Sequence, residues 1–314
     1  MAKKFAPKVD VYQVITDKII TAIEAGTPPW VKPWRSMGLR GGLPYNAQSN
    51  RGYSGVNVWL LLMEQQMNDY ATPGWMTFKQ AKDLGGHVRK GEKSTLVVYF
   101  STFKIEEEGA NGETKEKSRG FMKGYRVFNI AQIDDLPDKI AKPADLEAPE
   151  PIIGNEDPAF DAWAKATGAD IRNGSHHAAY YPTSDHIVMP NREDFTSADR
   201  YSTTCLHELG HWTGHGKRLD RDLKKGIFSK GEYAAEELVA ELCSSFLAAE
   251  LGLDAELEQS AAYIKSWLKA LKNDKKFIFS ASSKASKAAE YLKLQVSKNQ
   301  APEGPAEVET SIAA

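Results

Sequence analysis

The stretch His207-Glu208-Leu209-Gly210-His211-Trp212-Thr213-Gly214-His215 decides how the second half of this 314-residue chain is read. Its first five residues spell His-Glu-x-x-His inside a segment with helical periodicity. Four residues along a helix turn the side chain by about 40° and lift it by about 6 Å, so His207 and His211 can grip one cation from the same face. Glu208 then stands beside the metal as a general base. A bound divalent ion lowers the pKa of its water to about 7, and a neighbouring carboxylate takes the proton as that water attacks an amide carbonyl. Chance places such a pentad in roughly one chain of this length in a hundred, which puts the metal reading ahead.

A third protein ligand is expected on the next helical segment, Glu232 to Leu247. Glu237 and Glu241 are four apart and share a narrow face with Ala240, Ser244 and Ala248, small residues that let another helix approach closely. Glu237 is assigned as the ligand and Glu241 as the acid that orients a ligand imidazole. Glu241 and Glu236 remain the alternatives for the ligand. On a continuous helix His215 would lie about 12 Å from His207 along the axis, so it is placed at the cleft rim. Nitrogen and oxygen donors of this kind suit zinc best among divalent metals.

The composition is that of a globular chain, 41% hydrophobic and 26% charged, long enough for two modest domains. No apolar run spans a membrane and no secretory leader follows Met1, so a cytoplasmic address without membrane association is expected. Cys205 and Cys243 fall in helical patterns and read as small core residues. The net charge of -2 hides an asymmetry. Residues 1–135 carry 19 Lys and Arg against 14 Asp and Glu, a balance of +5, and the remainder carries 21 against 28, a balance of -7. A proline- and charge-rich linker, about 135–152, separates a first domain (1–145) from a second (153–299), and residues 300–314 read as a disordered tail.

In the first half Asp10 caps a helix whose face is Val11, Ile15, Ile19 and Ile23, and Gly26 stops it. The loop Thr27 to Arg35 presents Trp30 and Trp34 with Lys32 and Arg35, a combination in which rings stack on bases while cations meet phosphates. Asn46, Arg51, Tyr53 and Asn57, in a turn-rich stretch before the apolar helix Val58 to Met67, extend that surface, and Lys79 adds to it. Thr77 to Gln80 reads as a capping box, with Gly85 ending that helix. The turn His87 to Lys93, with Arg89, Lys90 and Lys93 around a glycine, reads as the strongest phosphate site. Strands from Thr95 and from Gly120 close a hairpin around an acidic loop, Glu106 to Lys117.

In the second half Asp157-Pro158 starts a helix and Gly168 ends it. Three short strands then follow, near 169–173, 178–182 and 185–190, as a small sheet flanking a metal cleft. His176, His177 and His186 are assigned no metal. Tyr180, Tyr181 and Tyr201 are candidates for stabilising an oxyanion. Helices around Ala261 to Leu271 and Ala281 to Leu294 read as packing elements.

The segments Asp10 to Ile20, Pro28 to Trp34, Trp75 to Lys82 and Gly85 to Ser94, with His207 to His215 and Glu236 to Leu242, together resemble the ArdC family of plasmid antirestriction proteins over nearly the whole chain. The resemblance implies an α+β fold of two domains: an amino-terminal mixed α/β domain that binds single-stranded DNA, and a zincin-like metallopeptidase domain with a small sheet beside its His-Glu-x-x-His helix. It implies protection of incoming plasmid or phage DNA from host restriction. One function in play is a metal-dependent peptidase that its amino-terminal domain carries to nucleic acid, where it cleaves a host protein. The other function in play is a strand-shielding protein whose zincin half is proteolytically silent.

Overall fold

The computed structural model describes residues 10–26, 28, 43–108, 114–141, 156–221, 223, 230–253 and 261–300. Helix α1 (Val11–Glu24) begins where expected, the Asp10 carboxylate accepting from the Gln13 amide at 3.2 Å. Such a cap is worth about 1 kcal/mol. Its buried stripe of Ile15, Ile19 and Ile23 joins the largest apolar cluster, shared with Trp267, Leu271 and Ile278 near the other end of the chain. The Thr16 hydroxyl donates to the Lys275 carbonyl at 2.8 Å, and Lys275 reaches Asp10 at 2.6 Å. The first helix is thus bound to the last helices by core, backbone and charge together.

A five-stranded sheet follows, built from β1 (Tyr45–Asn46), β2 (Arg51–Gly52), β3 (Gly74–Thr77), β5 (Thr95–Glu108) and β6 (Thr114–Asn129), in the order β2-β1-β3-β6-β5. Its chain path is interrupted by α2 (Val56–Met67), α3 (Phe78–Asp83) and the short strand β4 (His87–Val88), which pairs with β7 (Ile133–Asp134). The capping box at Thr77 and Gln80 is present, and Gly85 takes φ +86°, a left-handed turn open to glycine at little cost. One expectation is corrected: the acidic segment Glu106 to Lys117 is mostly strand. Pairing of Thr95 with Val127 runs without a slip to Glu108 with Thr114, so the ladder continues through the acidic residues. Charge does not stop a ladder whose backbone groups find partners. After β7 comes α4 (Asp138–Ala141), at the start of the expected linker; residues 142–155 lie outside the described residues.

The second half opens with α5 (Pro158–Ala166), capped by Asp157 on the Phe160 amide at 2.9 Å, and Gly168 follows it at φ +80°. Strands β8 (Asp170–Asn173), β9 (Ala179–Tyr181) and β10 (His186–Met189) form a sheet in the order β8-β10-β9, with β10 parallel to β8 and antiparallel to β9. The described residues then include the helices α6 (Ala198–Trp212), α7 (Lys230–Leu251), α8 (Ala261–Asn273) and α9 (Phe277–Gln300). Helix α9 runs past Asn299, where the tail was expected to begin; residues 301–314 lie outside the described residues.

Helix α6 packs on α7 through small residues. A Cβ on Gly210 would stand 3.0 Å from the Ala240 Cα, and the Ser244 hydroxyl donates to the Thr203 carbonyl at 2.9 Å. Between the halves, Trp59 of α2 stacks on Phe246 of α7 at 4.5 Å, a contact worth about 1 kcal/mol beyond its burial. Cys205 and Cys243 are buried as expected, and burial pushes both thiols up to about 12. Among the described residues no helix is long and apolar enough to cross a membrane.

Candidate metal centre and nucleic-acid groove

Helical spacing puts His207 and His211 on one face of α6, and the close approach allowed by Gly210 brings the Glu237 face of α7 against it. The two Nε2 atoms lie 3.2 Å apart. The Glu237 oxygens stand 3.6 Å from the Nε2 of His207 and 3.4 Å from that of His211. These three residues each offer a ligand atom within 4.8 Å of the others, the only such triad of metal-binding side chains among the described residues. Two imidazole nitrogens and a carboxylate suit a divalent ion, and Glu208, 8% exposed, lines the same cleft of about 620 Å³.

The Nδ1 atoms face outward onto two further carboxylates. Glu241 lies 3.3 Å from His207 Nδ1, and Glu236 lies 3.4 Å from His211 Nδ1. The sequence pointed to Glu241 in that place; Glu236, weighed there only as a ligand, takes the matching place beside His211. Arg221 holds Glu236 through Nη2 at 2.7 Å and Nε at 3.0 Å, and donates to the Gly210 carbonyl at 2.6 Å and the Thr213 hydroxyl at 2.7 Å. A Cβ on Gly214 would lie 2.9 Å from the guanidinium, so glycine there leaves room for this anchor.

Electrostatics follow from the geometry. Burial alone would depress both imidazoles, but hydrogen bonds to Glu237 and Glu241 hold His207 well above its ordinary value. His211 is raised to about 9, burial being outweighed by Glu236 and Glu237. Burial pushes the Glu237 carboxyl up, yet the two histidines outweigh it and hold it far below the usual range. Glu236 is likewise lowered against its burial, by His211 and Arg221.

His215 does not line this cleft. It sits 4.0 Å from Asp185, which pairs with Arg218 and accepts from the Tyr180 hydroxyl at 2.9 Å. Of the three tyrosines expected near an oxyanion, Tyr180 lines the cleft. Tyr201 does not: it is 4% exposed and donates to Asn173 at 2.8 Å, a core position set by its place on the buried side of α6. Tyr181 stacks on His186 at 5.2 Å and its hydroxyl lies 3.2 Å from His177. Sequence reasoning missed Tyr233, which lines the cleft one helical turn before Glu237 and lies 3.1 Å from the Tyr263 hydroxyl. Its i−4 relation to Glu237 was the available signal. Burial, then the Tyr263 contact, raises its pKa, so it stays a proton donor.

The residues expected to touch nucleic acid divide. Asn46, Arg51, Tyr53 and Asn57 line a groove of about 1020 Å³ between the five-stranded sheet and α9, with Tyr99, Tyr125 and Lys287. Asn57 is occupied there: its amide donates to the Val98 carbonyl and accepts from the Val98 amide, both at 2.8 Å, closing the free edge of β5. Asn46 and Gln80 exchange side-chain hydrogen bonds at 3.1 and 3.3 Å. Lys79, Lys90 and Lys93 are exposed and do not line the groove. Arg89 is already engaged, with Glu92 at 2.8 Å, Asp134 at 3.2 Å and the Ala131 carbonyl at 2.7 Å. Trp30, Lys32, Trp34 and Arg35 lie outside the described residues. Helix α7 serves both places, since Glu237 and Glu241 line the metal cleft while Phe246 and Glu250 line the groove.

Two family profiles match: the N-terminal domain of anti-restriction factor ArdC over residues 9–128, and a zincin-like metallopeptidase over residues 158–284. An Escherichia coli DNA primase TraC is 40% identical over 297 residues, which are 90% of this chain and 27% of that protein. The chain therefore spans about a quarter of TraC. An uncharacterized Sinorhizobium fredii protein, y4eC, is 37% identical, with 93% of this chain and 94% of that one covered. The metal-free crystal structure of antirestriction protein ArdC from plasmid R388 superposes with a TM-score of 0.79 at 43% identity, over 92% of this chain and 99% of that one. The Mn(II)-bound form of the same protein gives 0.75 at 44%, over 92% and 98%.

Proposed function

The chain belongs to the ArdC family of antirestriction proteins, and on that footing we propose that it is a divalent-metal peptidase carried to single-stranded DNA by its amino-terminal half. The observation that carries the catalytic half of this reading is the convergence of His207 Nε2, His211 Nε2 and the Glu237 carboxylate beside Glu208. The Mn(II) form of the R388 relative supports a divalent ion, and the donor set suits zinc. Once bound, the ion supplies an acidified water and a polarised carbonyl.

The remaining work falls to side chains of this chain. Glu208 takes the water's proton and returns it to the leaving amine. Glu241 and Glu236 hold the two imidazoles by their Nδ1 atoms, which fixes the direction of each Nε2 lone pair. Tyr233, protonated at the cleft wall, is placed to donate to the developing oxyanion. The substrate is a host protein met on the incoming strand, and the place of action is the cytoplasm.

Replacing Glu208 with Ala tests this. Metal and single-strand binding persist, while protection of unmodified plasmid DNA entering a restricting host is lost. If the variant protects as well as the parent, proteolysis is not the protective act and shielding of the strand takes its place.

A further inference from the structure

The outer face of the β5–β6 hairpin carries aromatic rings where solvent is expected. In the ladder Val97 lies opposite Tyr125, Tyr99 opposite Lys123, and Ser101 opposite Phe121. Opposed residues share a face, so three successive rows each present one ring: Tyr125, Tyr99, then Phe121. Rows of one face are about 6.7 Å apart. The three rings are 39%, 54% and 41% exposed. At its inner end the same face passes into the core, where Val97 and Val127 pack with Trp75 and Leu61. The hairpin is therefore anchored in the core at that end, with the three rings exposed beyond the anchor.

We propose that Tyr125, Tyr99 and Phe121 are a stacking platform for consecutive bases of a single strand, with Lys123 meeting the phosphates. This rests on the nucleic-acid reading above and gives it a location. Neither Thr95–Ser101 nor Phe121–Val127 contains an Asp or Glu, and of the two exposed cations there Lys123 shares the face of the rings, while Arg126, opposite Leu96, lies on the other face. Lys123 Nζ lies 5.5 Å from the Tyr125 ring, and Tyr99 and Tyr125 meet edge to face at 6.4 Å. Rings with a cation among them and no acid in their own rows fit a polyanion that carries flat apolar faces. The row spacing is about twice the 3.4 Å step of a duplex strand, so each ring takes one base of an extended strand. A duplex hides its base faces in its own stack and offers the platform nothing. Beside the platform, Arg51 and Tyr53 continue the lining along the groove, which also holds Lys287 and Lys293 with Glu250 and Glu290.

The test is fluorescence anisotropy of the full chain with a labelled 20-mer of thymidylate, and with a duplex of equal length, over a series of salt concentrations. The variants are Tyr99→Leu/Tyr125→Leu, which keeps apolar cover without a π-face, Tyr99→Phe/Tyr125→Phe, and Lys123→Ala. The leucine pair binds the 20-mer about tenfold or more weaker per ring with an unchanged salt slope, and the phenylalanine pair binds normally. Lys123→Ala lowers the slope by about 0.7. Normal binding by the leucine pair overturns the platform and leaves the nucleic-acid reading standing. Equal weakening on the duplex also overturns it, since the loss then does not depend on free base faces. Failure of the parent protein to bind the 20-mer defeats the underlying reading, and the platform with it.

Discussion

Arg221 clasps Glu236 with Nη2 and Nε at 2.7 and 3.0 Å, and Glu236 in turn stands 3.4 Å from His211 Nδ1. A guanidinium nine residues beyond Trp212 thereby sets the direction of an imidazole of the candidate metal centre, through a carboxylate on another helix. The pair is buried, its side chains only 5% and 15% exposed.

Breaking that pair separates support from ligation. Glu236→Gln weakens metal binding by about 10–100-fold, while Glu237→Ala, which removes a ligand atom, abolishes it. Arg221→Ala leaves the buried Glu236 with His211 alone beside it, costing about 3–5 kcal/mol of stability as well as metal affinity. Competition titration against a fluorescent chelator, with a thermal melt in chelator, reads both. Equal affinity in Glu236→Gln and the parent would mean that His211 is held by packing alone.

The same carboxylates make stability depend on pH. The folded pKa of His211 is about 9 and that of His207 is raised well above 6.5, so their contribution in metal-free protein is complete below about 6.5 and fades as pH climbs through 9. Glu237, lowered, works in the other direction: its contribution holds above its ordinary value of 4.5 and is lost in acid. Without metal, Tm therefore falls between pH 6.5 and 9. Metal needs neutral imidazoles, so the rise in Tm that saturating zinc brings is larger at pH 9 than at pH 6. A zinc-induced rise that stays constant across this range would show that the histidines bind no extra protons without metal.

Gly210→Ala tests the helix contact beneath the site. Alanine favours a helix by about 1 kcal/mol over glycine. Here its Cβ would meet the Ala240 Cα at 3.0 Å and the Ala240 carbonyl oxygen at 3.3 Å, backbone atoms that yield only if α7 shifts. Overpacking of this kind costs about 1–3 kcal/mol, so Tm falls and metal affinity falls with it, because the Glu237 face moves away. A variant with raised Tm would show that α6 and α7 have slack.

Local signals carried much of the fold. The Asp10 cap, the Thr77 box and the four-residue spacing of His207 and His211 each depend on neighbours in sequence, and each formed as read. Glu237 was reachable because helical spacing singled out a face with small companions. What stayed hidden needed tertiary closure. Arg221 meets Glu236 only after the chain turns back, and no periodicity links them. Asn57 looked like a base-contacting amide, but the edge of β5 arrives from 41 residues away to use it. The row of Tyr125, Tyr99 and Phe121 exists only in the hairpin register, since along either strand alone the rings look scattered. Arg89 read as a free cation because Asp134, 45 residues on, is brought to it by β7.

Helix α7 gives the molecule a ruler. Glu237 and Phe246 are nine residues apart on it, an axial rise of about 14 Å, with the Trp59 ring clamping the far end. The interval between the candidate metal centre and the groove is thus written in helical turns rather than in a hinge. Lengthening α7 by one turn would move the cleft relative to whatever lies in the groove, while leaving each of the two chemically complete.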